Sequence, residues 1–169
     1  MSLHTVYLAL GSNLGNRLKN LKTAIAVMQP GVLPDDCSPV YETPPWGVAD
    51  QPPFLNQAVR GKTELEPVEL LDRLKSVEVQ MGREPAIKYG PRLIDVDILF
   101  YDDLVLDAKD LTVPHPRLSD RAFVLVPLAD LAPDLSHPIL NKTVKELLSE
   151  VDTAGIKWHA PGDCGKIEG

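Results

Sequence analysis

Two amphipathic helical stripes, each preceded by an apolar extended run and followed by another, limit what this 169-residue chain can fold into. Thr5–Leu10 is a short apolar run ended by Gly11, and Leu18, Leu21, Ile25 and Met28 then recur at the three- and four-residue spacing of a helix. This first helix is expected from about Asn16 to Gln29, where Pro30-Gly31 stops it. Extended segments are expected at 32–43 and 54–61. Pro67 then opens a second helix with Leu70, Leu74, Val77 and Met81 on one stripe, ended by Gly82. A further strand is expected from Asp95 to Phe100, turning through Asp102-Asp103 into a hairpin with 104–106.

The order β-α-β-β-α-β predicts an α+β fold with a ferredoxin-like core, two helices on one face of an antiparallel sheet. The rest is expected to be appended: the hairpin, an extended stretch at 111–116, a short helical piece near 119–123 and a helix over 143–151. With no repeat and no long linker, residues 1–169 read as a single domain, with 1–3 and 168–169 left out of the fold argument.

At the entry to the fourth strand lies the segment richest in chemistry. Gly90-Pro91-Arg92-Leu93-Ile94-Asp95-Val96-Asp97 enters the apolar run Ile98-Leu99-Phe100 through a turn. Side chains two apart on a strand share a face, so Asp95 and Asp97 stand side by side with Cα atoms roughly 6.5–7 Å apart. Adjacent carboxylates repel unless a cation lies between them, and hard oxygen donors on a rigid strand suit Mg²⁺, which brings substrate phosphates with it; a pair of strand-edge aspartates that discourages aggregation is the equal alternative. Arg92 offers a planar guanidinium for bidentate phosphate contact.

Other segments admit ordinary readings as well as chemical ones. Gly11–Arg17 is a Gly-rich strand–helix turn of the kind that holds polar ligand edges, without P-loop or Rossmann spacing. Thr43-Pro44-Pro45-Trp46-Gly47 is a stiff loop opening toward Phe54, which can stack a flat heterocycle, and Asn56, which can read a ring edge; an ordinary core would look the same. Periodicity places Glu78 at the border of the second helix's stripe, where a solvated carboxylate is the simpler expectation. Arg83 follows the Gly82 stop on a loop segment suited to a lid. His115 is clamped between Pro114 and Pro116, with Arg117, Arg121 and Phe123 following, a pattern that suits a phosphate clamp. His4, His137 and His159 receive no role.

The formal net charge of −7 disfavours a binder that neutralises nucleic-acid phosphates, though not a small phosphorylated ligand held by a few arginines. No apolar run reaches the length of a membrane span, and no secretory signal pattern opens the chain. Cys37 and Cys164 match no zinc spacing and are expected to be reduced thiols of a cytoplasmic protein.

Taken in order, the segments Tyr7–Arg17, Tyr41–Gly47, Gln51–Val59, Gly82-Arg83, Gly90–Leu99 and Val113–Leu131 resemble the 6-hydroxymethyl-7,8-dihydropterin pyrophosphokinases of folate biosynthesis. The resemblance implies transfer of pyrophosphate from ATP, as co-substrate, to the hydroxymethyl group of a reduced pterin, with release of AMP. It implies that Asp95 and Asp97 hold two Mg²⁺ ions, and that Glu78, Arg92, His115 and Arg121 serve ATP. Phe54 and Phe123 would sandwich the pterin, read by Asn56 and by the Thr43–Trp46 loop with Pro44. Arg83, with Arg92 and the two aspartates, would form the catalytic set. No protein base is implied, and a monomer without nucleic-acid or membrane partners is expected. Where many members carry a second arginine, a lysine and a tryptophan, this chain has Glu84-Pro85-Ala86-Ile87-Lys88-Tyr89, with less positive charge and an added proline; Pro116 replaces an aromatic residue found in some members.

Overall fold

The computed structural model describes residues 2–45, 50–82 and 92–164. Strand β1 (His4–Ser12) leads into helix α1 (Arg17–Val27), whose first turn is capped by the Asn16 side chain accepting the Lys19 N–H. Strands β2 (Leu33–Cys37), β3 (Val40–Thr43) and β4 (Phe54–Thr63) follow, then α2 (Pro67–Gln80), with Pro67 at its first position and the Glu69 carboxylate accepting the Glu66 N–H. Strand β5 (Asp95–Tyr101) precedes a small ribbon of β6 (Leu106–Asp107) and β7 (Thr112–Val113). A 3₁₀ turn (Leu118–Asp120), α3 (Ala122–Leu131), α4 (Val144–Ser149) and β8 (Lys157–Ala160) complete the chain.

The strands form one six-stranded sheet in the order β5-β1-β4-β3-β8, with β2 also pairing β4. Every pairing is antiparallel. Alternation along the strands divides the core in two. Val6, Leu8 and Leu10 of β1 and Val96 and Ile98 of β5 pack with Leu21 and Ile25 of α1 and Leu70, Leu74 and Val77 of α2. On the opposite face Ala58, Leu99 and Phe100 pack with Val124, Leu125 and Leu128 of α3 and Val144 and Leu147 of α4. A register shift between Tyr7 and Leu8 leaves Leu99 as the extra residue of β5, which puts Leu99 and Phe100 on the same side. The sheet therefore lies between two helical layers.

Several expectations need correcting. The extended 32–43 segment is two strands, broken at Ser38-Pro39, where the Ser38 N–H donates to Ala58 O and the Ser38 hydroxyl accepts the Ala58 N–H. The expected hairpin partner of β5 is wrong. Asp102 instead continues the link to β1, its backbone N–H donating to Thr5 O and its carboxylate accepting the Thr5 N–H, and 106–107 pair with 112–113. The short helical piece at 119–123 extends into the ten-residue α3; Pro127 and the unbroken apolar run around it hid the stripe. Strand β8 lay outside the expected elements altogether.

The cysteines are also not reduced thiols. Cys37 and Cys164 form a disulfide, with Cα atoms 5.5 Å apart across 127 residues of chain. The fold brings the end of β2 beside the segment after β8, a proximity that no spacing in the sequence encodes. The bridge removes the ground on which the thiols spoke for a cytoplasmic location. Among the described residues, no helix is long and apolar enough to cross a membrane.

Candidate active site

The site lies on the α3 side of the sheet, where the first turn of α3 leaves part of the sheet uncovered. Its floor follows one cross-strand row, Asp95–Gly11–Asn56, running from β5 through β1 to β4. The next residue of the floor, Ala9, stands opposite Asp97. Glycine and alanine at the centre keep the floor low, and a cavity of about 240 Å³ opens above them. A Cβ at Gly11 would lie 3.0 Å from Asn56 Oδ1 and 3.5 Å from the Phe54 ring, so the space a side chain would need is already taken.

Asp95 and Asp97 line one end of this cavity, as their two-residue spacing predicts. Arg92 lines the same end, its Nε 3.9 Å from Asp95 Oδ1. Two carboxylates on one strand, with no cluster of three or more His, Cys, Asp or Glu among the described residues, are too few to enclose a metal. They do fit Mg²⁺, which keeps several waters and completes its shell with phosphate oxygens.

Phe54, Asn56, Thr43 and Pro44 line the other end, facing Phe123 from α3. Asn56 is buried, and its amide nitrogen donates to Thr43 Oγ1 at 2.6 Å, which fixes which way the amide points. The Arg121 guanidinium stands 5.5 Å from the centre of the Phe123 ring.

His115 enters from the loop after β7, its N–H bonded to Leu99 O on β5. Its Nδ1 accepts the Arg117 N–H, so the neutral ring carries its proton on Nε2. Burial, reinforced by Arg121 and Arg117, pushes its pKa down to about 4. At neutral pH it is therefore an uncharged donor beside two arginines.

Two residues act from outside the cavity lining. Glu78 is 7% exposed, not solvated as periodicity suggested, and its carboxylate accepts the Val96 N–H at 2.9 Å between the two aspartates. It therefore stands behind β5. Asn13 is 1% exposed and holds Arg92 by two bonds, its Oδ1 accepting the Arg92 N–H and its own N–H donating to Arg92 O. Its amide nitrogen also donates to Gln51 Oε1 and Pro52 O, which ties the approach to Phe54 to the approach to Asp95. The sequence assigns the Gly-rich turn to ligand contacts of its own, and nothing local marks Asn13 as a brace for a residue 79 positions away. Trp46 and Arg83 lie outside the described residues, as does the 84–89 segment.

Residues 7–133 match the family model for 7,8-dihydro-6-hydroxymethylpterin-pyrophosphokinase. The chain belongs to this family. Among the pyrophosphokinases it resembles, the 2-amino-4-hydroxy-6-hydroxymethyldihydropteridine pyrophosphokinase of Aquifex aeolicus is 44% identical over 146 residues, 86% of this chain and 91% of that protein. The pyrophosphokinase of the same name from Methylorubrum extorquens is 44% identical over 153 residues, 89% of this chain and 96% of that one. The folic acid synthesis protein fol1 of Schizosaccharomyces pombe is 40% identical over 95% of this chain, but the match spans only 22% of that longer protein. The HPPK-DHPS of Plasmodium falciparum shares the fold, with a TM-score of 0.73 at 19% identity over 88% of this chain and 44% of that one.

Proposed function

We propose that this pyrophosphokinase-family chain transfers pyrophosphate from ATP to the hydroxymethyl oxygen of 6-hydroxymethyl-7,8-dihydropterin and releases AMP. What carries the reading is the division of one cavity into a carboxylate–arginine end and an aromatic–amide end, with Asp95 and Asn56 in a single cross-strand row. A donor of charged phosphates and a flat heterocyclic acceptor would meet over Gly11. We also read the strand order as a ferredoxin-like core, in which β2 and β3 together fill one strand position and β8 is appended.

In this mechanism the acceptor lies between Phe54 and Phe123, with Asn56 and the Thr43–Pro44 backbone reading its polar edge. Asp95 and Asp97 would hold two Mg²⁺ ions, which neutralise phosphate charge when bound. Arg92, Arg121 and the Nε2–H of His115 orient the nucleotide phosphates, and Arg83 joins them. Glu78 is assigned to the nucleotide indirectly, through the strand that carries the aspartates. The hydroxymethyl oxygen bonds to the β-phosphorus as its bond to the α-phosphate oxygen breaks, and AMP departs with that oxygen. Positioning and charge neutralisation carry the step, and no protein base is assigned to the alcohol proton. The partners are these small molecules, and the chain is taken to work as a monomer.

The experiment is to incubate the protein with Mg-ATP and the pterin and separate the nucleotide products. Pterin-dependent AMP that disappears in Asp95→Ala and Asp97→Ala is expected. ADP would contradict the phosphate register, and neither product with both ligands bound would mean a binding protein without turnover.

A further inference from the structure

Residues 152–164 run as a strap along the outer edge of β3, the strand that ends at Thr43 and Pro44. At the start of the strap, Gly155 takes φ +85°, and a Cβ there would lie 3.0 Å from Pro44 Cγ. Ala154 and Ile156 help to wall a second cavity of about 210 Å³, which shares Thr43, Pro44, Arg121 and Phe123 with the first. The wall between Pro44 and Phe123 thus has the substrate cavity on one side and the strap on the other. Along its middle, β8 pairs with β3 through Glu42↔Lys157, Tyr41↔Trp158 and Val40↔Ala160. At its end, Gly162 lies so close over the Ser38 carbonyl that a Cβ would fall 2.2 Å from the oxygen, and Cys164 is bonded to Cys37.

Lys157, Trp158 and His159 are all exposed. Apolar burial along β8 is therefore small, and a strand held mostly by backbone bonds at a sheet edge opens at low free energy. The covalent bond at Cys164 is the strongest restraint on it. Asp95 and Asp97 are far from its influence, because β5 is the opposite edge of the sheet, with β1, β4 and β3 between.

We propose that the Cys37–Cys164 disulfide positions the pterin-side wall, so that its reduction weakens pterin binding more than nucleotide binding, which among the described residues reaches the strap only through Arg121. This rests on the reading of Phe54, Asn56 and Phe123 as the pterin end. In the reduction a dithiol supplies two electrons and two protons. The S–S bond breaks, both cysteines become thiols, and the dithiol closes to its own disulfide. With the anchor gone, β8 leaves β3 more readily, β3 becomes an edge strand, and Pro44 loses the backing of Gly155.

The test is calorimetric titration of the full chain with the pterin and, separately, with a non-hydrolysable Mg-nucleotide, oxidised and after dithiothreitol. Reduction should weaken pterin binding roughly five- to tenfold, about 1–1.4 kcal/mol, with a clearly smaller change in the nucleotide constant. Cys164→Ser should bind pterin as weakly without reductant, and Cys37→Ser/Cys164→Ser should ignore dithiothreitol. Gly155→Ala keeps the disulfide but crowds Pro44, so it should weaken pterin binding even if a cysteine variant fails to fold. An unchanged pterin constant on reduction, or equal weakening of both ligands, overturns the proposal alone. Oxidised wild-type protein that binds nucleotide but no pterin overturns it together with the functional reading.

Discussion

The backbone N–H of Val96 donates to the carboxylate of Glu78 at 2.9 Å, which ties helix α2 to the outer side of β5 midway between Asp95 and Asp97. Because β5 is an edge strand, that N–H has no neighbouring strand to bond, and it is buried. A buried, unpaired backbone donor costs roughly 1–3 kcal/mol. Glu78→Ala is expected to lower stability by about that amount and to reduce turnover more than pterin affinity, because the aspartates lose their support. Glu78→Gln keeps an acceptor and should recover most of the stability. Urea unfolding of the two variants, read beside kcat, checks this; equal loss in both would mean that the charge, not the hydrogen bond, matters.

Gly11 lies under the cavity, and a Cβ there would press on Asn56 Oδ1 at 3.0 Å. Gly11→Ala should displace the Asn56 amide and raise the pterin KM about tenfold, a penalty near 1.4 kcal/mol. The ATP KM should change little. A variant with unaltered pterin KM would show that Asn56 does not read the acceptor.

His115 gives the fold a defined acid response. Its folded pKa of about 4 lies below the ordinary value of 6.5, so between those limits the unfolded chain binds more protons. Stability is unaffected by this group above about pH 6.5 and falls as pH drops toward 4. The neutral side chain of His115→Gln should flatten that part of the pH–stability curve, measured as urea midpoints from pH 7 to pH 4.5. Parallel curves for the two proteins would assign the acid loss to other groups.

Removing the disulfide frees a loop of 127 residues in the unfolded chain. Chain-entropy arguments place the cost at about 4–5 kcal/mol, less whatever structure the reduced state keeps. Calorimetric unfolding of Cys37→Ser/Cys164→Ser should show a lower midpoint than the oxidised wild type. Coincident midpoints would mean that the bridge contributes no net stability.

The sequence by itself determined β1, α1, β4, α2 and β5 and much of the chemistry carried within them. The stripes of α1 and α2, the Pro67 start and the paired aspartates of β5 all rest on spacings of four residues or fewer, which local geometry converts directly into a face or a turn. Similarity to the family then joined segments that spacing could not. The tertiary structure alone decided what those elements meet. Glu78 looked solvated because periodicity knows only the helix it sits on, not the unpaired edge of β5 beside it. Asn13 reached Arg92, and Cys37 reached Cys164, across stretches of chain whose closure depends on how the sheet orders its strands. β8 alternates apolar and polar residues from Ile156 to Ala160 but is too short and too exposed to stand out, and the open edge of β3 made it a strand. Contacts between residues distant in sequence depend on which surfaces the whole chain buries together, and no local pattern carries that information.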